Sequence, residues 1–210
     1  MNKINIIVAD DHQLFRDGLT SLLNKHPFLN VLTNVEDGIA LFDALKTLKT
    51  LPDIILLDLS MPNMNGFEAL KILSKKYKKI KAIAISMHDD GNYIARCAQY
   101  GAHGYLLKNT DEDEVLNAIK QVHNGAKYYN QELSKKMIDS MAEVNSIKKL
   151  TKKESEILEL LAQGLTTKEI ATKFYISTRT VETHRSNMLK KLEVKNTVEL
   201  INKASSLNII

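Results

Sequence analysis

The sequence predicts an α/β domain with a doubly wound, five-stranded parallel sheet, followed by a small all-α domain of four helices. The first prediction depends on five short apolar runs that alternate with helical patterns along residues 1–125. Alternation of this kind implies parallel strands joined by right-handed crossovers, with helices on both faces of the sheet. The second prediction depends on the purely helical periodicity of residues 150–210, which follows a change in composition.

The elements of the first domain follow from local patterns. Each strand is a short apolar run bounded by turn formers, which suits a strand buried on both faces. The helices have apolar residues spaced to cover one side, except the short helix over 93–100, which has little apolar pattern. Thr110 is the predicted N-cap of the last helix, whose acidic first turn suits the helix dipole. The predicted strands cover 4–9, 31–35, 53–58, 82–85 and 104–107, and the predicted helices cover 12–24, 39–48, 67–77, 93–100 and 111–124.

Charge is divided unevenly along the 210 residues, which have a formal net charge of +4. Residues 1–125 carry 14 basic and 15 acidic side chains, whereas residues 126–210 carry 15 and 10. A neutral first part and a basic second part indicate two domains, the second of which faces a polyanion.

Composition also narrows the class of protein. No apolar run approaches the roughly 18 residues that span a bilayer, and the first residues lack the pattern of a signal peptide. Cys97 is the single cysteine, so no internal disulfide is expected, and a reducing cytoplasm is the expected location. Its helical surroundings favour a packed thiol over a nucleophile.

Polar residues stand at the ends of four predicted strands: Asp10 and Asp11, Asp58, Ser86, and Lys108. The carboxyl ends of parallel strands share one rim, where open α/β sheets place their ligands. Three carboxylates on one rim repel each other unless a cation lies between them, and an all-oxygen set favours Mg²⁺ over zinc. The set suits a phosphoryl group on Asp58, with Lys108 neutralising its oxygens and Ser86 donating a hydrogen bond.

Each of these residues also has a structural alternative. The acids could cap a helix or a turn, Ser86 could simply end a strand, and Lys108 could be a surface charge. The functional interpretation is preferred because all four strand ends carry such groups together.

These residues belong to motifs that closely resemble the receiver domain of two-component response regulators, a flavodoxin-like fold. The resemblance covers residues 1–125 and implies that Asp58 accepts a phosphoryl group from a sensor histidine kinase. It also implies that Lys108 pairs with the phosphorylated carboxylate and that Mg²⁺ is bound by Asp10, Asp11, Asp58 and the backbone carbonyl of Ser60. The motifs are Val8-Ala-Asp-Asp-His12, Asp58-Leu-Ser-Met-Pro-Asn-Met-Asn-Gly66, Ile85-Ser86 and Gly101-Ala-His-Gly-Tyr-Leu-Leu-Lys108.

By the same resemblance, Ser86 takes the position of a switch hydroxyl and Tyr105 that of a switch aromatic. Phosphorylation adds a charge of about −1.5 to −2 and new acceptor oxygens. Ser86 is expected to turn toward them, and Tyr105 to swing into the vacated space. The loop after Ser86 and the helix over 93–100 would then move between two states.

Residues 126–149 are predicted to be a linker between the domains. Apolar residues at helical spacing predict a short helix over 133–141. Residues 142–149 have no clear period and are predicted to be a flexible junction.

The second domain, residues 150–210, is predicted to contain a helix-turn-helix. Thr151 and Glu154 have the spacing of a capping box at the first helix. Thr167 is the predicted cap of a short helix over 168–174, and Ser177 that of a long helix over 178–192. A final helix is predicted to begin at Thr197.

One side of the long helix carries a polar stripe, formed by Arg179, Thr183, Ser186 and Lys190, opposite its apolar side. A basic helix with hydrogen-bonding groups on one side is suited to the major groove of DNA, although a solvated helix face would show the same pattern. His184 lies toward the apolar side and is expected to pack.

Residues 150–210 closely resemble the LuxR-type DNA-binding domain, and the whole chain resembles a NarL/FixJ-type response regulator. The motifs are Leu150-Thr-Lys-Lys-Glu154, Leu160-Leu-Ala-Gln-Gly164, Lys168-Glu-Ile-Ala171, Ile176-Ser177 and Thr180-Val-Glu-Thr-His-Arg185. The last helix resembles the family's dimerisation helix, which implies a homodimer on paired half-sites of a double-stranded promoter. The resemblance implies base contacts from Glu182, Thr183 and Ser186, and phosphate contacts from Lys168, Arg179, Arg185 and Lys190.

Glu182 stands where many members of this family have lysine. A carboxylate there could accept a hydrogen bond from cytosine N4 but would repel backbone phosphates, so the preferred DNA sequence stays open.

Two other interpretations have different consequences. Haloacid-dehalogenase-like phosphatases also phosphorylate an aspartate, but they carry a second acid two residues after it, where this chain has Ser60. We therefore expect a regulator that is not an enzyme. The other alternative is a DNA-binding protein whose first domain is only a docking surface for another protein.

Overall fold

The computed structural model describes residues 3–146, 150–207 and 209–210. The chain divides into two compact units, residues 1–138 and residues 139–210.

The first unit has a five-stranded parallel sheet in the order β2-β1-β3-β4-β5. This order and the alternation of strands and helices confirm the predicted doubly wound fold. The strands are β1 (Ile4–Ala9), β2 (Leu29–Val35), β3 (Ile54–Asp58), β4 (Lys81–Ser86) and β5 (Gly104–Leu107), and the helices are α1 (Gln13–Asn24), α2 (Gly38–Thr47), α3 (Gly66–Lys76), α4 (Gly91–Gln99) and α5 (Glu112–His123).

The sheet is buried on both faces. On one face, Ile55 and Leu57 of β3 lie in a cluster with side chains of α2, α3 and α4. On the other face, Ile54 and Leu56 lie in a cluster with side chains of α1 and α5. Every residue of β3 is buried, which explains why its sequence is a continuous apolar run rather than an alternating one.

Some helix ends differ from the predictions. Thr110 does not cap α5; the side chain of Asp111 accepts a hydrogen bond from the backbone of Glu114 and is the N-cap. Aspartate is at least as good an N-cap as threonine, so two neighbouring candidates were not separable by sequence. Strand β2 also begins earlier than predicted, because Leu29 is buried and pairs with Ile4.

Part of the predicted linker belongs to the first unit. Tyr128 and Leu133 are buried in the two core clusters of this unit, and the Tyr129 hydroxyl donates to the Ala102 carbonyl at 3.1 Å. Helix α6 (Gln131–Ser146) is longer than the helix predicted over 133–141 and covers part of the predicted junction. Residues 147–149 of that junction lie outside the described residues.

Beyond the end of α6, the described residues of the second unit form four helices, as predicted: α7 (Lys152–Ala162), α8 (Thr167–Phe174), α9 (Thr178–Lys191) and α10 (Thr197–Ser206). Thr151 and Glu154 form the expected capping box of α7, and Ser177 caps α9. Thr167 was wrongly expected to cap α8; Thr166 is the cap, in a capping box with Glu169. The core of the unit includes Ile157, Leu158, Ile170, Val181, Met188, Leu192 and Leu200.

Candidate functional site

The strand register places two carboxylates side by side at the rim of the sheet. Ala9 of β1 is opposite Leu57 of β3, so Asp10 and Asp58 follow at the same level. Both are 2% exposed, which makes them two of the few charged residues buried among those described. The structure therefore brings together the strand ends that the sequence predicted would meet.

Asp58 has an environment that disfavours its charged form. Burial raises the pKa of its carboxyl above the ordinary value, and the nearby charge of Asp10 adds to the rise. The ammonium of Lys108, 3.0 Å from Oδ2, and the backbone N–H of Ser60, 3.3 Å from Oδ1, oppose the rise without cancelling it. Contacts within the protein thus offset only part of the cost of burying the charged Asp58 carboxylate.

Lys108 is the cation that these two acids share. Its Nζ lies 2.7 Å from Asp10 Oδ2, and its side chain is 9% exposed. Burial lowers the pKa of this ammonium, but the hydrogen bonds to Asp10 and Asp58 outweigh that effect and raise it overall. The ring of Phe15 lies 5.0 Å from Nζ and adds a cation–π contact.

The rim carries more negative than positive charge. Ligand atoms of Asp10, Asp11, His12 and Asp58 all lie within 4.8 Å of one another, and Lys108 supplies one positive charge against three carboxylates. This donor set fits a small divalent cation that prefers oxygen ligands. His12 Nδ1 lies 2.8 Å from Asp11 Oδ1, which places the imidazole beside the acid pair.

His12 and Phe15 were missed by the sequence analysis as parts of this site. The only sequence signal for His12 is its position directly after the acid pair. Phe15 lies on α1 and contacts Lys108, which follows β5, so the two residues are far apart in the sequence. No local pattern predicts such a contact.

Gly66 allows the helix after the site to approach it closely. A Cβ atom at Gly66 would lie 2.2 Å from the backbone oxygen of Asp58 and 2.7 Å from the Cα of Leu59. Its N–H also donates to the Leu59 carbonyl at 3.1 Å. Any side chain here would push the loop that carries Asp58 away from α3.

The two predicted switch residues meet at one backbone position. The Ser86 hydroxyl accepts a hydrogen bond from the N–H of His88 at 3.1 Å, and the Tyr105 hydroxyl donates to the carbonyl of His88 at 2.6 Å. Tyr105 is fully buried. Its ring therefore already occupies the interior, whereas the sequence analysis expected it to enter only when Ser86 turns.

The loop after Ser86 also contacts helix α6. Asp89 lies 2.6 Å from the Nζ of Lys136, and Glu132 lies 2.8 Å from the same atom. This contact was not expected from the sequence, because the residues are distant in the chain and lie on exposed surfaces. The ion pair connects the loop after the predicted switch residue Ser86 to α6.

The polar stripe of α9 has the exposure that the sequence predicted. Arg179, Thr183, Ser186 and Lys190 are all exposed, and Lys168 on α8 is exposed as well. Val181 and Met188 on the other side are fully buried, and His184 is half-buried. Arg185 and Glu182 contact each other, with Nη1 and Oε1 3.3 Å apart.

The chain belongs to the response regulators. The model of the response regulator receiver domain matches residues 6–120, and that of the bacterial regulatory proteins of the luxR family matches residues 148–204. Together with the two folds, these matches confirm a DNA-binding transcriptional response regulator. No described helix has the length and apolar character to span a membrane.

Curated relatives match over nearly the full length. The chain is 34% identical to the transcriptional regulatory protein DegU of Brevibacillus brevis, over 95% of this chain and 92% of that protein. It is 33% identical to the oxygen regulatory protein NreC of Staphylococcus epidermidis, over 94% of this chain and 95% of that protein.

Solved structures give the same result. A structure of the response regulator RcsB of Salmonella typhimurium matches with a TM-score of 0.75 and 27% identity, covering 97% of this chain and all of that one. A structure of RcsB bound to a promoter in the presence of the phosphomimetic BeF3− matches with a TM-score of 0.73 and 28% identity, over 98% of this chain and all of that one.

Proposed function

We propose that Asp58 accepts a phosphoryl group from a sensor histidine kinase, and that this modification controls dimerisation of the chain and its binding to a promoter. The observation that carries the proposal is the buried pair of Asp10 and Asp58 around a single ammonium at the rim. In the transfer, the phosphorus–nitrogen bond of the donor's phosphohistidine breaks as a bond forms to an oxygen of Asp58. Lys108 already lies where it would neutralise the incoming oxygens.

Mg²⁺ is the proposed cofactor of this site. Asp10, Asp11 and Asp58 are its proposed ligands, with the backbone carbonyl of Ser60 beside them. When bound, the ion would offset the negative charge that builds up on the phosphoryl oxygens. Three carboxylates lie near one ammonium, so negative charge remains at the rim, and this excess supports binding of a divalent cation.

Ser86 and Tyr105 are the proposed switch residues. The Ser86 hydroxyl is buried at the end of the neighbouring strand and can exchange the His88 N–H for a phosphoryl oxygen. A movement of Ser86 would disturb the His88 backbone, which the Tyr105 hydroxyl also bonds. Asp89 follows directly and pairs with Lys136 of α6, so a shift in this loop reaches the segment that leads to the second domain.

The proposed DNA interface is the exposed stripe of α9 with Lys168 of α8. Homodimerisation through α10 would place two such interfaces on paired half-sites. A cytoplasmic location is proposed with it, because a promoter has to be reached there. The structure of RcsB with a promoter and a phosphomimetic supports this proposal by similarity. Thr183 and Ser186 are the proposed base contacts together with Glu182, and Arg179, Arg185, Lys168 and Lys190 are the proposed phosphate contacts.

The test is to treat the full chain with acetyl phosphate and Mg²⁺ and to follow intact mass, oligomeric state and promoter affinity. We expect one alkali-labile and hydroxylamine-labile phosphoryl group on the wild type, as for any acyl phosphate, and none on Asp58→Asn. Asp43→Asn, an exposed acid on α2, is the matched control and should be modified like the wild type. Unchanged promoter affinity of the modified wild type would show that phosphorylation does not control binding.

We also propose that the chain is not a phosphatase. The position two residues after Asp58 holds the exposed Ser60, which cannot act as the general acid that hydrolysis of phosphate esters requires. Turnover of a generic phosphate ester should not exceed that of Asp58→Asn. Rapid, Asp58-dependent hydrolysis would support the enzyme interpretation instead.

A further inference from the structure

Glu182 is the single acidic side chain of helix α9, and it lies beside the polar stripe. Arg179, Glu182, Thr183 and Ser186 are spaced three, four and seven residues along the helix and therefore share one side. The Glu182 side chain is 52% exposed. A carboxylate at this position reduces affinity for any polyanion, so it is an unexpected residue on a DNA-binding surface.

The structure holds this carboxylate in place by one of its two oxygens. Oε1 accepts a hydrogen bond from the hydroxyl of Thr167, on the neighbouring helix α8, at 2.7 Å. The same atom lies 3.3 Å from Nη1 of Arg185. Across the described part of the chain, Oε2 has no hydrogen-bond or ion-pair partner. One oxygen is thus anchored, and the other remains available as an acceptor on the exposed side.

The chemistry of base edges limits what Oε2 can bind. Guanine and thymine present only acceptors in the major groove, besides the thymine methyl, and both would repel a carboxylate. Adenine presents one amino group but also the N7 acceptor beside it. Cytosine presents the N4 amino group as its only hydrogen-bonding group in that groove, which makes it the base that best matches a single carboxylate oxygen.

We propose that Glu182 is a specificity-determining residue that selects cytosine at one position of each half-site, and that Thr167 is a positioning residue for it. The inference rests on the proposed binding of DNA through α9. Glu182 then reduces affinity for all sequences but reduces it least where cytosine N4 meets Oε2. Specificity is gained through repulsion of the other bases, at the expense of non-specific affinity.

The first test is selection of bound duplexes from a random pool, with the full chain in the presence and absence of beryllofluoride. We expect the wild type to enrich sites with a fixed cytosine and Glu182→Gln to lose that preference by on the order of tenfold. Glu182→Gln should also bind random duplex more tightly than the wild type, because a negative charge is removed. Glu159→Gln, an exposed acid on α7, is the control and should select like the wild type.

A second test separates Glu182 from an arginine that reads the guanine of the same base pair. The selected cytosine is replaced by a pyrimidinone that lacks the 4-amino group, with guanine kept opposite. Affinity should fall roughly tenfold for the wild type. For Glu182→Gln it should change little beyond what the weakened base pair itself causes. Thr167→Val should reduce the loss of affinity that the pyrimidinone causes, while the circular dichroism spectrum stays unchanged. If Thr167 had only a structural role, its replacement would not alter the response to the 4-amino group.

The possible outcomes are distinct. If wild type and Glu182→Gln select the same sequence, or respond equally to the pyrimidinone, the inference is wrong while the proposed DNA-binding function stands. If the wild type, with or without beryllofluoride, retains no duplex at low salt, the proposed function is contradicted, and this inference with it.

Discussion

Each domain buries a carboxylate beside a lysine, yet the two acids have opposite environments. Asp58 is 2% exposed and lies 3.0 Å from Lys108, and Glu154 is 3% exposed and lies 2.6 Å from Lys191. Burial raises the pKa of both carboxyls. At Asp58 the charge of Asp10 adds to that rise, whereas at Glu154 hydrogen bonds from Lys191 and Thr151 reverse it, so the pKa of Glu154 is lowered overall.

The comparison separates a stabilising acid from a reactive one. Glu154 belongs to the capping box of α7, accepts from the Thr151 N–H at 2.6 Å and also contacts α9 through Lys191, so its charge is satisfied within the protein. Asp58 shares one ammonium with another acid and, among the residues that the structure describes, has only one longer backbone hydrogen bond. An acid of the second kind gains from a ligand that brings positive charge, which is the property a phosphoacceptor with a metal site needs.

Removal of the two charges should therefore change stability in opposite directions, with the largest effect at Glu154. Glu154→Gln weakens the bond to Lys191, and we expect the free energy of unfolding of the second domain to fall by about 1–2 kcal/mol. Hydrogen–deuterium exchange of the full chain reports the stability of α7 and α9. The control is Glu159→Gln, on the exposed side of the same helix, which should leave exchange unchanged.

Asp58→Asn should have the opposite sign. In buffer with a metal chelator, it removes a buried charge whose pKa is raised, so the free energy of unfolding of the first domain should rise, by less than the loss expected for Glu154→Gln. The exchange rates of β1 and β3 provide the measurement. Faster exchange in Asp58→Asn would mean that the two acids have equivalent structural roles and that the comparison fails.

The next largest expected effect is the pH dependence of the stability difference between wild type and Glu154→Gln. Because its folded-state pKa lies below the ordinary value of 4.5, the charged form contributes stability above that value. The contribution is lost as pH falls through the folded-state pKa. The stability difference between wild type and Glu154→Gln should therefore be present at about pH 7 and shrink steadily as the pH falls below 4.5. A difference that persists in acid would mean that the amide disturbs packing rather than charge.

The smallest expected effect concerns the link between the switch and α6. Exchanging the charges in Asp89→Lys with Lys136→Asp should leave stability nearly unchanged, because exposed ion pairs contribute little. Asp89→Lys alone places two lysines together, and we expect it to weaken the gain in promoter affinity on phosphorylation. The double variant should recover that gain. If the single and double variants behave alike, the ion pair does not transmit the signal.

Much of the fold was predictable because its signals are local. Short apolar runs that alternate with helical patterns, and strands that end in Asp10, Asp58, Ser86 and Lys108, are visible without any contact map. Parallel topology then forces those strand ends onto one rim. Errors at Thr110 and Thr167 arose where adjacent residues were equally good caps, and Leu133 was placed in a linker because its partners lie far away in sequence.

The sequence by itself thus determined the fold class, the gathering of the rim acids and the exposed stripe of α9, since periodicity and strand direction are properties of neighbouring residues. The tertiary structure alone decided that the ring of Tyr105 lies inside, that the His12 imidazole lies against Asp11, and that Thr167 anchors Glu182. These features depend on the orientation of side chains and, for Tyr105 and Glu182, on which elements pack together, and no local pattern encodes such contacts.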